Sequence, residues 1–203
     1  MKKPISGGQI WFCSLLICAV AAALAFTHFD VPIARHVYSL VEPKYMAAGL
    51  GGAVLLTVEA SAVLTLVVIR ITRGHLSPAG EALGLACLTS ICVYALNASV
   101  LKVLFGVPST ADVLEGASHS FHFLHGTVDS SFPSGHMVLA GAFAGVWMRL
   151  YRRSVLPLSA LLLVGAGLLI LGDWHFLSDV IVGTFLGVSA GLLAGELWLV
   201  HSQ

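Results

Sequence analysis

Residues 131–136 read Ser-Phe-Pro-Ser-Gly-His and residues 173–179 read Asp-Trp-His-Phe-Leu-Ser-Asp, two short polar stretches within a strongly apolar chain. Each stretch lies where a polar loop meets a long apolar run, and together they supply His136, His175 and Asp179. An ionisable side chain within a membrane span costs a few kcal/mol or more and is functional by default. The two stretches therefore predict a site for a phosphate ester at the surface of a membrane.

The composition of the whole chain is that of a membrane protein. Of its 203 residues, 58% are hydrophobic and 10% are charged, and the mean hydropathy is +0.94. Soluble domains are about 45–50% apolar and about 25% charged. We therefore expect one integral membrane domain over residues 1–203. The formal net charge is zero, which gives no reason to expect a nucleic-acid partner.

Six apolar runs are long enough, or nearly so, to cross about 30 Å of hydrocarbon. This pattern predicts an all-α polytopic fold with six transmembrane helices. The first run follows Lys2 and Lys3 and contains Ala23-Leu24-Ala25, so a cleaved signal peptide is an alternative for that segment. The predicted spans are residues 9–27, 46–69, 79–101, 135–150, 155–172 and 179–200.

The basic residues predict the orientation, because cytoplasmic loops are enriched in Lys and Arg. With both termini in the cytoplasm, only Arg35, Lys44 and Lys102 of the ten basic residues lie outside. The same orientation places the two polar stretches and Lys102 together on the outer side of the membrane. The cytoplasmic basic residues are then Lys2, Lys3, Arg70, Arg73, Arg149, Arg152 and Arg153.

A four-residue repeat of glycine runs along the last span and continues the spacing of His175 and Asp179. Small residues at this spacing let two transmembrane helices approach closely. Gly141 and Gly145 offer a matching notch on the fourth span, so we expect the fourth and sixth spans to pack tightly. This packing would bring the two histidines together. The repeated residues are Gly183, Gly187, Gly191 and Gly195.

The residue types in the two stretches suit phosphate chemistry. Ser134 is a good N-cap for the fourth span, and Gly135 lets an anion approach the backbone. Unpaired N–H groups at a helix start bind phosphate. His175 and Asp179 are four residues apart, so the carboxylate can orient the imidazole and strengthen its other nitrogen as a nucleophile. A second histidine can then donate a proton to the leaving group.

Lys102, residues 133–136, and the pair His175 and Asp179 resemble the three signature segments of the type 2 phosphatidic acid phosphatases, also called lipid phosphate phosphatases. The order of the segments and their placement at helix ends resemble the bacterial six-helix members, over residues 102–193. The resemblance implies that His175 attacks phosphorus to form a phosphohistidine, supported by Asp179, and that His136 protonates the leaving oxygen. It further implies that the phosphate is held, without a metal or other cofactor, by Lys102, Ser134 and Gly135.

Both phosphate-binding arginines of that family are missing from their expected places. The family's first segment is Lys-x6-Arg-Pro, but Ser109 and Thr110 stand at those positions. In some bacterial members the arginine follows Phe-Gly directly, where this chain has Val107. The third segment has an arginine six residues before the nucleophilic histidine, where this chain has Leu169.

Other side chains on the outer side are candidates to replace the arginines. Arg35 and Lys44 are the other basic residues predicted there, and His122 and His125 lie in the loop before the fourth span. Because imidazole is a common metal ligand, this loop, which also contains His119 and Asp129, offers a zinc-assisted hydrolase as an alternative. The other interpretation is a polar loop that covers the site.

These patterns favour a phosphatase that acts on a phosphate ester or diphosphate of a lipid headgroup at the outer face of a bacterial inner membrane. Phosphatidate, phosphatidylglycerol phosphate, a polyprenyl diphosphate and a phosphorylated sugar headgroup are all compatible substrates. A phosphotransferase that uses the same intermediate and a non-catalytic lipid-phosphate-binding protein are the alternatives. Glu59, in the middle of the second span, is expected to be protonated or hydrogen-bonded in a structural role.

Overall fold

The computed structural model describes residues 6–40 and 45–202, and the side chains of residues 6–40 and 51–202. Every regular element in these ranges is helical, so the predicted all-α fold is confirmed. The α-helices are α1 (Gly7–Leu24), α2 (Asp30–Leu40), α3 (Tyr45–Arg73), α4 (Pro78–Leu96), α5 (Lys102–Phe105), α6 (Thr110–Leu114), α7 (Gly135–Leu150), α8 (Val155–Leu171) and α9 (Leu177–His201).

Several of these helices join into longer rods. Two π-helical segments, Ala25–Phe29 and Asn97–Leu101, connect α1 to α2 and α4 to α5 without a break. Within the described ranges, five helical stretches are long and apolar enough to cross a membrane. The 16-residue α7, which matches the short fourth span of the sequence pattern, brings the number of long apolar helices to six.

The first helical rod is longer than the sequence pattern predicts. The predicted span ends at residue 27, whereas the helix continues to Leu40. The added turns bury Asp30 and Ala34, and Ala34 packs against Phe176. The hydropathy of the sequence does not predict this extension, because its buried residues are covered by distant parts of the protein rather than by lipid. Arg35, predicted in a loop, is therefore on the exposed side of α2.

The pair of helices α7 and α9 forms the centre of the bundle. A Cβ atom added at Gly187 would lie 2.5 Å from the carbonyl oxygen of Val138, and one at Gly145 would lie 2.6 Å from the carbonyl oxygen of Val188. These positions tolerate no side chain, so the two backbones are in direct contact. The predicted close packing of the fourth and sixth spans is confirmed.

The remaining helices surround this pair. Trp11 of α1 donates a hydrogen bond from Nε1 to the hydroxyl of Ser189 on α9 at 3.2 Å. Glu59 of α3 is hydrogen-bonded to Ser90 of α4 at 3.0 Å, and the same hydroxyl bonds to the carbonyl oxygen of Leu139 on α7 at 2.9 Å. Glu59 therefore has the hydrogen-bonded structural position expected of it.

Arg70, Arg73 and Arg149 lie at the end of the bundle opposite the two polar stretches. The helix α7 begins beside His136 and ends near Arg149. The helix α3 passes from Gly52, which lies near His136, to Arg70 and Arg73 in its last turn. The outer placement of the polar stretches, which rests on this separation of charge, stays a prediction.

Candidate active site

His136 and His175 lie side by side at one end of the bundle. The Nδ1 atom of His136 is 3.3 Å from the Nε2 atom of His175. The ring centroids are 5.5 Å apart, and the ring planes meet at 73°. His136 belongs to the first turn of α7, and His175 lies just before Phe176, the N-cap residue of α9, so the close packing of these two helices sets the distance between the rings.

Asp179 supports His175 from the first turn of α9. Its Oδ2 atom is 3.4 Å from Nδ1 of His175 and accepts the N–H of Phe176 at 2.9 Å. Its Oδ1 atom accepts from the hydroxyl of Ser131 at 3.5 Å. Asp179 is fully buried and His175 is 8% exposed, so these contacts are shielded from water. When Nδ1 of His175 donates to Asp179, its Nε2 lone pair faces His136.

The start of α7 has the features of an anion site. The Ser134 hydroxyl accepts the N–H of Met137 at 3.4 Å, and the Ser134 N–H donates to the carbonyl oxygen of Asp179 at 3.1 Å. The second bond ties the starts of α7 and α9 together. Gly135 faces the ring of Tyr94, which would lie 2.9 Å from an added Cβ atom, so packing requires glycine here. The first N–H groups of a helix have no acceptor within it and attract anions.

Lys102 lies where the π-helical segment passes into α5. Its Nζ atom donates to the carbonyl oxygen of Val128 at 3.0 Å. Its charge also interacts with the carboxylates of Asp179 and Asp129. The electrostatic interaction with Asp179 connects this ammonium group to the pair of imidazoles.

The positions where the family resemblance leads us to expect arginine serve packing and capping in this chain. Leu169 is buried in an apolar cluster with Met137 and Val180. The Thr110 hydroxyl donates to the backbone carbonyl of Asp173 at 2.5 Å. Ser109 caps α6. None of these side chains supplies a positive charge, so an anion at this site would have to be held by other groups.

The residues proposed to replace the arginines lie in different places. Arg35 is exposed on α2 and makes no hydrogen bond or ion pair with any described residue. Lys44 lies outside the described residues. His122 and His125 line a groove of about 600 Å³, which they share with Asp129. The residues that line this groove do not include the imidazole pair.

His119 occupies a third place, away from that groove. Its ring stacks on Phe26 with centroids 4.2 Å apart, and its Nε2 atom is 3.6 Å from Oδ2 of Asp30. Burial lowers the pKa of the His119 imidazole, and the negative charge of Asp179 opposes this shift. Within the described ranges, no three histidine, cysteine or carboxylate side chains are grouped closely enough to bind a metal ion. The described loop histidines therefore do not form the set of ligands that the zinc-assisted alternative requires.

Two residues near the pair were not candidates on sequence grounds. The sequence pattern assigns Asp30 to a loop, yet it is 1% exposed and bonded to both the backbone and the side chain of Ser178. Gly52 of α3 lies against the ring of His136. A carboxylate at the end of an apolar run is a signal that could have identified Asp30. No pattern in the sequence connects Gly52 with the histidines.

Taken as chemistry, the arrangement suits transfer of a phosphoryl group. One imidazole is oriented by a buried carboxylate, and a second imidazole lies within hydrogen-bond distance of it. The start of α7 and the ammonium of Lys102 can attract an anion. Such a set allows nucleophilic attack on phosphorus together with proton transfer to the departing oxygen.

Comparison with known protein families gives one match. The family model of the PAP2 superfamily matches residues 81–199. The matched stretch begins in α4, ends in α9 and contains Lys102, His136, His175 and Asp179. Neither a curated protein nor a solved structure matches the chain.

Proposed function

Because the chain belongs to the PAP2 superfamily, we propose that it is a membrane lipid phosphatase that works through a phosphohistidine. Membership of the superfamily implies phosphatase-type activity on phosphate esters. The long apolar helices make the chain a multi-pass membrane protein. The specific proposal is hydrolysis of a phosphate ester or diphosphate in a lipid headgroup.

The observation that carries this proposal is the contact between the two imidazoles. Nε2 of His175 is 3.3 Å from Nδ1 of His136, and Asp179 lies on the opposite side of the His175 ring. A phosphoryl group that enters here replaces the hydrogen bond between the rings. It then has a nucleophile on one side and a proton donor on the other.

The reaction then proceeds in two steps. In the first, Nε2 of His175 forms a bond to phosphorus, the bond from phosphorus to the leaving oxygen breaks, and His136 donates a proton to that oxygen. Asp179 stabilises the positive charge that develops on the His175 ring. In the second step, His136 removes a proton from water, which attacks phosphorus and breaks the bond to Nε2. Inorganic phosphate leaves, and both rings return to their starting state.

Lys102, Ser134 and Gly135 are proposed to hold the phosphate during both steps. Loss of one preorganised donor costs about 10²–10³ in rate, so two absent arginines cost about 10⁴–10⁶. Enzymes accelerate the hydrolysis of phosphate monoesters by up to about 10²¹. The proposed enzyme is therefore slower than a member that has both arginines, but it is still an enzyme.

The proposed location is a bacterial inner membrane, with both termini in the cytoplasm and the site on the outer face. The cluster of Arg149, Arg152 and Arg153 at the opposite end of α7 supports this orientation. A lipid substrate would reach the imidazoles from the outer leaflet.

The test is turnover of phosphorylated lipids by the purified protein. Release of phosphate is measured for phosphatidate, phosphatidylglycerol phosphate, a polyprenyl diphosphate and a lipid with a phosphorylated sugar headgroup. We expect phosphate release from at least one of them, complete loss with His175→Ala, and no effect of His201→Ala, which changes an exposed histidine at the other end of the bundle. Quenching with alkaline detergent during turnover of a ³²P-labelled lipid should trap a labelled phosphohistidine, whose P–N bond is stable to alkali but not to acid, in the wild type and in His201→Ala, and none in His175→Ala.

Three further results separate the alternatives. Transfer of phosphate to an added acceptor lipid, with no release in its absence, would indicate a phosphotransferase. Tight binding of a lipid phosphate without turnover would indicate a non-catalytic protein. Activity lost after extensive treatment with EDTA and restored by zinc would overturn the metal-independent mechanism.

A further inference from the structure

The start of α9 is capped by a residue from the first helical rod. The N-cap residue, Phe176, has no side-chain group that can accept a hydrogen bond. Instead, Oδ1 of Asp30 accepts the N–H of Ser178 at 3.0 Å, and Oδ2 accepts its hydroxyl at 2.5 Å. These residues are 148 positions apart in the sequence. A carboxylate at a helix start is stabilising because it satisfies free N–H groups and opposes the helix dipole.

The same turn of α9 also carries Asp179, which supports His175. Asp179 accepts the N–H of Phe176, so two buried carboxylates share the free N–H groups at this helix start. The start of α7 differs, because there a serine hydroxyl forms the cap. We therefore expect a substrate anion to meet N–H groups at α7, where no carboxylate blocks it.

His119 closes the far side of Asp30. Its ring lies between Phe26 of the first rod and Phe176, with centroid distances of 4.2 and 4.4 Å. Its Nε2 atom faces Oδ2 of Asp30 at 3.6 Å. The carboxylate is thus held by two hydrogen bonds from Ser178 of α9 and is covered by the His119 ring.

We propose that Asp30 is a positioning residue for the proposed phosphatase reaction. By holding Ser178, it fixes the first turn of α9 and so the direction in which Asp179 and His175 point. The effect of Asp30 on the reaction rate rests on the proposed function, whereas its role in holding the first turn of α9 does not. Asp30 lies outside residues 81–199, which the family model matches. The first helical rod therefore contributes a residue that supports the site formed by the matched part of the chain.

The kinetic test compares Asp30→Asn with a matched variant. Asp112→Asn is the control, because Asp112 also caps a helix start on this side of the bundle, by accepting from Ser109. Loss of an outer group that orients a metal ligand typically lowers activity by about 10–100-fold, and we take the same range for a group that orients a catalytic side chain. We expect a loss in kcat of that size for Asp30→Asn with KM within about twofold, and kcat within about twofold of wild type for Asp112→Asn.

A second variant and a second readout keep the outcome decisive. Ser178→Ala removes one of the two bonds and should lower kcat by a smaller factor, even if Asp30→Asn fails to fold. In ¹⁵N NMR spectra of the histidine rings, the signal lost in His175→Ala identifies His175, and it should shift in Asp30→Asn and Ser178→Ala. This measurement needs no turnover, so it tests the positioning role even if no lipid proves to be a substrate.

Two results would overturn the inference. One is a lower melting temperature of Asp30→Asn and Ser178→Ala with an unchanged kcat per folded protein. The other is a His175 signal that does not shift in either variant. Either result would mean that Asp30 only stabilises the fold.

Discussion

Gly52 of α3 lies against the imidazole of His136, so that a Cβ atom at this glycine would be 3.2 Å from Nε2. The neighbouring Gly51 is slightly farther away, at 3.6 Å from the same atom. The helix α3, which lies outside the residues matched by the family model, therefore forms one wall beside the proposed proton donor. The size of the residue at position 52 should control where the ring sits.

The first prediction is that Gly52→Ala lowers kcat by about tenfold, because a displacement of a catalytic group by less than 1 Å is already costly. Gly51→Ala is the matched control, since its Cβ atom would make an ordinary van der Waals contact. It should retain kcat within about twofold. Steady-state kinetics on the preferred lipid measure both. Equal rates for the two variants would show that this wall does not position His136.

The second prediction concerns the contact between α7 and α9. A Cβ atom at Gly191 would lie 2.2 Å from the carbonyl oxygen of Ala142, whereas Gly165 on α8 has open space around it. Gly191→Ala must separate the two helices and should lower the melting temperature in detergent by several degrees. Gly165→Ala should leave it unchanged or raise it slightly. Similar melting temperatures for both variants would contradict close packing of these helices.

The third prediction concerns Asp173, whose backbone has a positive φ of 56° in the turn before α9. Burial raises the pKa of its carboxyl from 3.8 to about 6. The folded state therefore binds a proton more tightly than the unfolded state, so the stability that this group contributes is fully present below pH 3.8 and is lost as the pH rises through about 6. The loss amounts to about 3 kcal/mol at most.

Asp173→Asn tests this dependence, because asparagine tolerates a positive φ and carries no charge. The free energy of unfolding of the variant should exceed that of the wild type at pH 7.5 by more than it does at pH 4. Thermal or denaturant unfolding across this pH range measures the difference. Parallel curves for the two proteins would show that Asp173 is not titrating within the range.

The fourth prediction concerns Lys102, the cation proposed to hold the phosphate. Lys102→Met should lower kcat/KM by about 10²–10³, the usual effect of removing one preorganised donor. The same measurement on Arg35→Ala and Lys44→Ala decides whether either residue replaces a missing arginine. A loss of tenfold or more in one of them would assign that role, and wild-type rates in both would exclude it. A Lys102→Met enzyme with normal kcat/KM would remove Lys102 from the phosphate site.

The fifth prediction concerns Glu59 in the middle of α3. The Ser90 hydroxyl is bonded both to Glu59 and to the carbonyl oxygen of Leu139, and it has one proton for two acceptors. Both hydrogen bonds can form when Glu59 carries a proton on Oε1, because the carboxyl then donates to the Ser90 oxygen and the Ser90 hydroxyl donates to Leu139. Glu59→Gln should therefore keep the stability of the wild type, whereas Glu59→Leu should lower the melting temperature. The opposite order would show that Glu59 is ionised.

Much of the fold could be read from the sequence, because hydropathy responds directly to burial in lipid. The glycine repeat from Gly183 to Gly195 predicted the helix contact that now brings His136 and His175 together. The spacing of four residues predicted Asp179 near His175 on one face of a helix. The two side chains are in contact, but only Asp179 lies within α9, because His175 precedes the N-cap residue Phe176.

The remainder depends on contacts that have no local pattern. Asp30 meets Ser178 across 148 positions of sequence, and the continuation of the first helix to Leu40 depends on the same packing. The loop histidines were candidates for one metal site, yet His119 is buried beside Asp30 while His122 lines a separate groove. In a loop, spacing along the chain does not determine the direction of side chains.

The length of α7 has a consequence for how a substrate is met. Its 16 residues rise by about 24 Å, whereas the hydrocarbon layer is about 30 Å thick. Arginines following its final turn anchor that end at the water boundary, so the shortfall of about 6 Å falls at the end that carries His136. In the proposed phosphatase, a lipid headgroup would therefore be cleaved below the surface of the leaflet, and its acyl or prenyl tails would stay in the hydrocarbon layer.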